Sequence, residues 1–265
     1  MPLLPLLILA IVQGVTEFLP ISSSGHLVLV SMLHPGGDPG HLIDAAAHLG
    51  TLLAVMIAFR HELRGLISGT RAILGGRCEN AHSGLVINLV LATLPILVIG
   101  AILHWTGVAT LMRNFTVIGT TTLVFGLVLY LADQLGHRDR TLEDLGWRSA
   151  IIIGIFQAAA LVPGTSRSGI TITAGRMLGF GRQDTIRLSL LLSIPAILLA
   201  GLFALSSMTY QLDFQSLAAA GLVAGLAFSV GYAVIHTMLR LHRTVSFTPY
   251  VIYRVILGCA LLTLA

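Results

Sequence analysis

Pro20-Ile21-Ser22-Ser23-Ser24-Gly25-His26 interrupts an apolar stretch that otherwise runs from about residue 2 to 33, and its reading decides the fold. A membrane-crossing helix takes about 20 apolar residues, so the arms on either side are each too short to span. Irregular backbone at membrane depth is tolerated only where protein or a wet cavity surrounds it. A surface loop between short helices is the alternative; a re-entrant hairpin over 2–33 is the more economical expectation. Pro163-Gly164-Thr165-Ser166-Arg167-Ser168-Gly169 divides residues 149–181 in the same way and predicts a second re-entrant hairpin.

Outward from these breaks, six apolar stretches read as full spans: about 41–59, 84–103, 114–132, 185–207, 214–237 and 247–265. Composition agrees. Of 265 residues, 55% are hydrophobic and 10% charged, against about 25% charged in a soluble domain. The expected fold is all-α and integral to the membrane, one membrane domain over 1–265. The first residues, Met1-Pro2-Leu3-Leu4, carry no basic segment and read as the first arm rather than a cleaved signal. Cys78 and Cys259 are too few for a disulfide framework or a zinc site; Cys259 is expected in the core. The +4 net charge comes from arginines at segment ends, not from a patch, so no nucleic acid is expected as a partner.

The two breaks echo each other. At an offset of 144, Gln13 aligns with Gln157, Ser22 with Ser166, Ser24 with Ser168 and Gly25 with Gly169. A second echo, at a different offset, joins Leu94-Pro95-Ile96-Leu97 to Ile194-Pro195-Ala196-Ile197. These predict two repeats, about 1–133 and 149–265, each a re-entrant hairpin followed by three spans. Arg60, Arg64, Arg71 and Arg77 follow the first span, Arg138, Arg140 and Arg148 the third, and Arg240 and Arg243 the fifth. Basic short loops are cytoplasmic, which places both termini outside. Three spans per repeat is odd, so the second repeat is inverted and the hairpins enter from opposite faces to meet near the midplane.

Ionisable groups inside a membrane protein are functional candidates. Glu17 ends the first arm and Arg167 sits at the centre of the second break. Facing hairpins would bring them together among Ser22, Ser23, Ser166 and Ser168. Arginine presents a planar fork suited to phosphate oxygens, and a helix opened by a serine-glycine break presents backbone N–H groups to an anion. Serine becomes a nucleophile when a base takes its proton; Glu17 and His26 are the candidate bases, and a carboxylate could equally hold a divalent cation. This is a phosphate site at membrane depth, which implies a lipid phosphate. Arg254, inside the last span, needs an anion or a carbonyl partner. His48, His104 and His236 read as packing or interfacial residues, and Asp44 and Asp133 as interfacial ones.

Gln13-Gly14-Val15-Thr16-Glu17-Phe18-Leu19-Pro20-Ile21-Ser22-Ser23-Ser24-Gly25-His26 resembles the acidic motif and serine-glycine-histidine turn of the bacterial undecaprenyl-diphosphate phosphatase (bacitracin-resistance) family. Pro163 to Gly169 with Thr171 resembles its second motif, and Ser246-Phe247-Thr248-Pro249-Tyr250 with Tyr253-Arg254 its C-terminal segment. The resemblance covers nearly the whole chain. It implies two inverted repeats and hydrolysis of undecaprenyl diphosphate to the monophosphate carrier of cell-wall synthesis. It also implies a divalent cation, Mg2+ or Ca2+, a bacterial inner-membrane location and a site open to the outer face.

Carried over by position, Arg167 holds the diphosphate. Ser22, Ser24, Ser166, Ser168, Thr171 and Arg254 bind or support the phosphate. Glu17 is a metal ligand or base with Gln13 beside it, one helical turn away. Ser23 is the expected nucleophile and His26 its rival as nucleophile or acid/base; direct attack by water is a third route. The family often has two carboxylates four residues apart, and Gln13 brings no charge to the first of those positions. A homodimer is a further expectation. The rival reading is a transporter of a lipid phosphate, since fold does not fix function. A phosphatidic-acid-type phosphatase is disfavoured because its signature needs an upstream lysine and this chain has none.

Overall fold

The computed structural model describes residues 3–33, 40–76, 81–206 and 213–265; Arg77, Cys78 and the side chain of Ser24 lie outside the described set. The regular elements among the described residues are all helices, joined by short turns and loops. The first break separates α1 (Leu3–Thr16) from α2 (Ser23–Leu33). Then follow α3 (His41–Ala58), α4 (Arg60–Leu74), α5 (Ala81–Thr106), the single turn α6 (Val108–Leu111) and α7 (Phe115–Leu135). The second break lies between α8 (Trp147–Ala158) and α9 (Arg167–Met177). The chain continues through α10 (Arg182–Ser206), α11 (Phe214–Leu241) and α12 (Thr248–Thr263).

Five of these helices, α3, α5, α7, α10 and α11, are long and apolar enough to cross a membrane. The sixth expected span is shorter. Pro249 sets its start, and α12 runs for 16 residues, about 24 Å of helix against a hydrocarbon core of about 30 Å. The 60–83 stretch, expected as a loop, instead forms α4 over much of its length. Leu63, Leu66 and Ile73 recur at helical spacing on it, opposite Arg60, Arg64 and Arg71, the pattern of an amphipathic helix.

Large apolar side chains on α5 and α12, such as Val98 and Ile256, point outward and are exposed, as lipid-facing residues are. Trp105 ends α5 and Trp147 opens α8, both exposed, where interfacial aromatics belong. Cys259, expected in the core, is exposed on α12 instead.

Small residues let backbones touch, as membrane helix interfaces require. A Cβ on Gly50 would stand 2.2 Å from Ala224 O, so α3 and α11 meet backbone to backbone. Gly14 brings α1 onto α11 at Ala227 and Val230, and Gly154 brings α8 onto α5 at Ala92. Gly119 of α7 and Gly258 of α12 each face the other's carbonyl oxygen. Pro95 lies in α5, the second long helix after its break, and Pro195 in α10, the first after its own.

Candidate phosphate site between the two helix breaks

Both breaks end in the same way. Ser22 and Ser166 have positive φ, 78° and 72°, which no other non-glycine residue shares among the described ones. Each precedes a helix. Ser22 Oγ accepts from Gly25 N–H at 3.3 Å, and Ser166 Oγ accepts from Gly169 N–H at 3.1 Å. The serine-glycine echo in the sequence is thus one cap built twice. Such backbone strain costs on the order of 1–3 kcal/mol and persists only where surrounding structure enforces it.

The breaks touch. Arg167 Nη2 lies 3.3 Å from Glu17 Oε1, and Arg167 Nη1 donates to Ser189 O at 3.2 Å. Ser168 Oγ donates to Leu19 O at 2.8 Å, tying the second break to the first. Ser166 Oγ and Ser168 Oγ are 3.2 Å apart. Thr171 Oγ1 lies 2.8 Å from Ser189 Oγ. Glu17, Ser22, Ser166, Ser168 and Thr171 are all buried.

Arg254 is fully buried, and its donors go to carbonyls: Pro20 O of the first break, Gly164 O and Thr165 O of the second, and Thr121 O and Thr122 O of α7. Of its two expected kinds of partner, anion or carbonyl, the structure supplies carbonyls. His26 Nδ1–H donates to Ser22 O at 2.6 Å, so its Nε2 accepts from the Tyr253 hydroxyl at 2.5 Å. Ser23 opens α2 and is half-buried. No hydrogen bond among the described residues joins it to Glu17 or His26, so the serine–base pair that activates a nucleophile is not formed here.

Two groups escaped the sequence reading. Gln13 Nε2 donates both to Glu17 Oε2 and to His48 Nδ1, each at 3.0 Å. His48 is therefore part of the cluster, with its ring proton on Nε2. The available signal was that an ionisable side chain within a span is a functional candidate. Asp133, read as interfacial, also has partners that the sequence did not reveal. It is buried and takes a two-pronged bond from Arg182 at 2.7 and 2.8 Å, with Arg176 Nε at 3.3 Å and Phe247 N–H at 3.2 Å. This ion cluster pins α7, α9, α10 and the start of α12 together, away from the breaks.

Among the described residues, no group of three or more His, Cys, Asp or Glu side chains converges on one point. A hard divalent cation can nonetheless be held by one or two protein oxygens with substrate phosphates completing its shell. Gln13 Oε1 is buried with no hydrogen-bond partner among the described residues, on the same amide whose Nε2 donates to the Glu17 carboxylate. An orphaned oxygen on a residue paired with a carboxylate fits that minimal donor set.

The chain matches the family described as Bacitracin resistance protein BacA over residues 6–260. A protein of Ruegeria sp. (strain TM1040) named undecaprenyl-diphosphatase is 47% identical over 266 residues, all of this chain and 99% of that one. Another of that name from Jannaschia sp. (strain CCS1) is 47% identical over 265 residues, and one from Dinoroseobacter shibae 46%, with the same shares covered.

Proposed function

The chain belongs to the bacitracin resistance protein BacA family, and from that premise we propose that it is an undecaprenyl-diphosphate phosphatase. It hydrolyses the terminal phosphoanhydride of a C55 polyprenyl diphosphate to undecaprenyl phosphate and inorganic phosphate. The observation that carries this reading is the Glu17–Arg167 pair, 3.3 Å apart and buried between two capped helix starts. A fixed cation and the N–H groups of two helix N-termini make an anion site. Helices long enough to cross a membrane surround it, so the anion is the headgroup of a lipid.

The residues divide the work. The Arg167 guanidinium binds the diphosphate and offsets charge that develops on the terminal phosphoryl group. Glu17 takes the proton of the attacking water; the new P–O bond forms as the bond to the bridging oxygen breaks, and undecaprenyl phosphate leaves. Among the described residues no base is bonded to Ser23, which favours water over the serine as nucleophile. His26, held by Ser22 O and Tyr253, supplies a neutral acceptor nitrogen beside the first break. A divalent cation, Mg2+ or Ca2+, held by Glu17 and Gln13 Oε1, would supply further neutralisation of phosphate charge. Arg254 serves this site indirectly, by fixing the carbonyls of both breaks.

The proposal includes two inverted repeats. It is supported by the twin serine caps, by the reciprocal Gly119–Gly258 contact, and by the exchange in which α1 packs on α11 while α8 packs on α5. It also includes an inner-membrane location with the arginine-bearing ends cytoplasmic and the site open to the outer face. The α7–α8 and α9–α10 connections share one end with the end of α11, as the Arg182–Asp133 and Gln183–Leu239 bonds indicate. The test is phosphate release from undecaprenyl diphosphate in detergent, with and without Mg2+ or Ca2+, for wild type and Arg167→Ala. Release that collapses in the variant supports the reading. No release by folded wild type with any metal refutes it.

A further inference from the structure

Among the described residues, two apolar cavities of similar size open on the helical surface, and of these two the first adjoins the phosphate site. The first, about 350 Å³, lies between α3, α10 and α11. It exists because small residues face one another there: Ala45, Ala46, Gly201, Ala220, Gly221 and Ala224. A Cβ on Gly201 or Gly221 would meet nothing within 4 Å. The second, about 330 Å³, lies between α4, α5 and α10, with Leu66, Thr70 and Val90 among its lining.

His48 separates their roles. It lines the first cavity, and its Nδ1 accepts from Gln13, whose amide also holds Glu17. One imidazole therefore forms part of the cavity wall and part of the site cluster. No side chain lining the second cavity is bonded to Gln13, Glu17 or Arg167 among the described contacts. From Leu52 to Leu42, the first cavity follows α3 for about 15 Å at 1.5 Å per residue, passing His48 on the way to the end where α3 begins and α10 ends.

We propose that the cavity between α3, α10 and α11 is the slot for the first isoprene units of the lipid diphosphate, with His48 in the wall it shares with the phosphate site. This rests on the phosphatase reading. The occupant follows from the continuity: a ligand whose diphosphate meets Arg167 and Glu17 has its first carbons at His48, and the apolar route leading away is this cavity. An isoprenoid carries a methyl branch on every unit, and the alanines and glycines among the lining residues leave width for branches. The surrounding lipid is as apolar as the slot, so the slot contributes orientation of the phosphate rather than binding strength.

The experiment uses the full chain in detergent with a farnesyl diphosphate analogue bearing a diazirine on its second isoprene unit. Irradiation followed by peptide mass spectrometry should place adducts on α3, α10 and α11 around Ala45, Gly201 and Gly221. Undecaprenyl diphosphate should compete them away, and a phospholipid should not. Gly221→Leu, which fills open space, should lose these adducts and lower kcat/KM for undecaprenyl diphosphate about tenfold or more. Val90→Trp, at the other cavity, should change neither. Adducts concentrated at the second cavity, or adducts at the first that phospholipid removes as well as undecaprenyl diphosphate does, overturn the proposal. Wild type that cross-links at this slot in competition with undecaprenyl diphosphate, yet releases no phosphate, would sink the phosphatase reading and leave the slot standing.

Discussion

Arg254→Met separates a clamp from a phosphate ligand. The guanidinium satisfies five carbonyls, but they are not equally dependent on it. Thr121 O and Thr122 O lie inside α7, where the N–H four residues on supplies a donor. Gly164 O also receives the Thr122 hydroxyl at 3.2 Å. Pro20 O and Thr165 O have Arg254 as their donor among the described bonds, at 3.1 and 2.9 Å. An unsatisfied buried polar group costs about 1–3 kcal/mol. The lower half of that range applies, because chains unfolded within a membrane find other partners. Two stranded carbonyls then amount to roughly 2–4 kcal/mol, or a fall in Tm of about 4–16 °C for a chain near this size. Thermal unfolding in detergent, followed by intrinsic fluorescence, measures it. Activity should fall with stability, through kcat, because both breaks lose their anchor. A variant as stable as wild type that has lost only affinity for the lipid would refute the clamp and return Arg254 to the phosphate.

Other outcomes follow from the same geometry. Arg167→Lys keeps the charge but loses the fork that reaches Glu17 and Ser189 together, and kcat/KM for undecaprenyl diphosphate should drop at least about 100-fold, near 2.7 kcal/mol. Ser23→Ala should retain most phosphate release, since no base is bonded to that hydroxyl; abolished turnover in a folded variant would make Ser23 the nucleophile. Ser166→Gly should be close to wild type in Tm, because relief of the positive φ offsets the lost cap, whereas Ser166→Ala loses the cap and keeps the strain, a gap of about 1 kcal/mol or more. Gly50→Ala drives a methyl into Ala224 O and should cost about 1–3 kcal/mol of stability by prising α3 from α11. Burial holds the His242 imidazole below its ordinary 6.5, where Nδ1–H donates to Val245 O. The unfolded chain takes up that proton first, so this contribution to stability is complete above pH 6.5 and is lost as pH falls toward the depressed value. Tm scanned from pH 7.5 to 5 should decline, and less steeply in His242→Phe.

The breaks were legible because proline, glycine and serine cluster where apolar residues should continue. Glu17 and Arg167 were legible because charges are rare in such stretches. What escaped notice depends on contacts between distant parts of the chain. Arg254 reaches Pro20, 234 residues away, and nothing local distinguishes that partner from a phosphate. His48 is one of ten histidines, and only the packing of α1 against α3 brings Gln13 to it. Asp133 gathers donors from three separate elements, so its position near a helix end gave no sign of burial. The α4 segment carries its helical period among charges, and a search for long apolar runs passes over it.

A phosphate site inside a bilayer has a requirement that unbroken helices cannot meet. Every N–H inside a continuous helix is already donated to its own carbonyl, so helix starts must be brought into the protein interior. Breaking a helix frees carbonyls as well as N–H groups, and stray carbonyls would repel the anion. Here the carbonyls are taken up by the protein's own donors: Arg254 holds Pro20, Gly164 and Thr165, Ser168 holds Leu19, and Thr121 holds Pro163. The first-turn N–H groups of α2 and α9 that the serine caps do not take, with the Arg167 guanidinium, remain as donors. That imbalance turns two interruptions into an anion site, and it accounts for why the breaks need serines and a remote arginine in addition to the groups that meet the substrate.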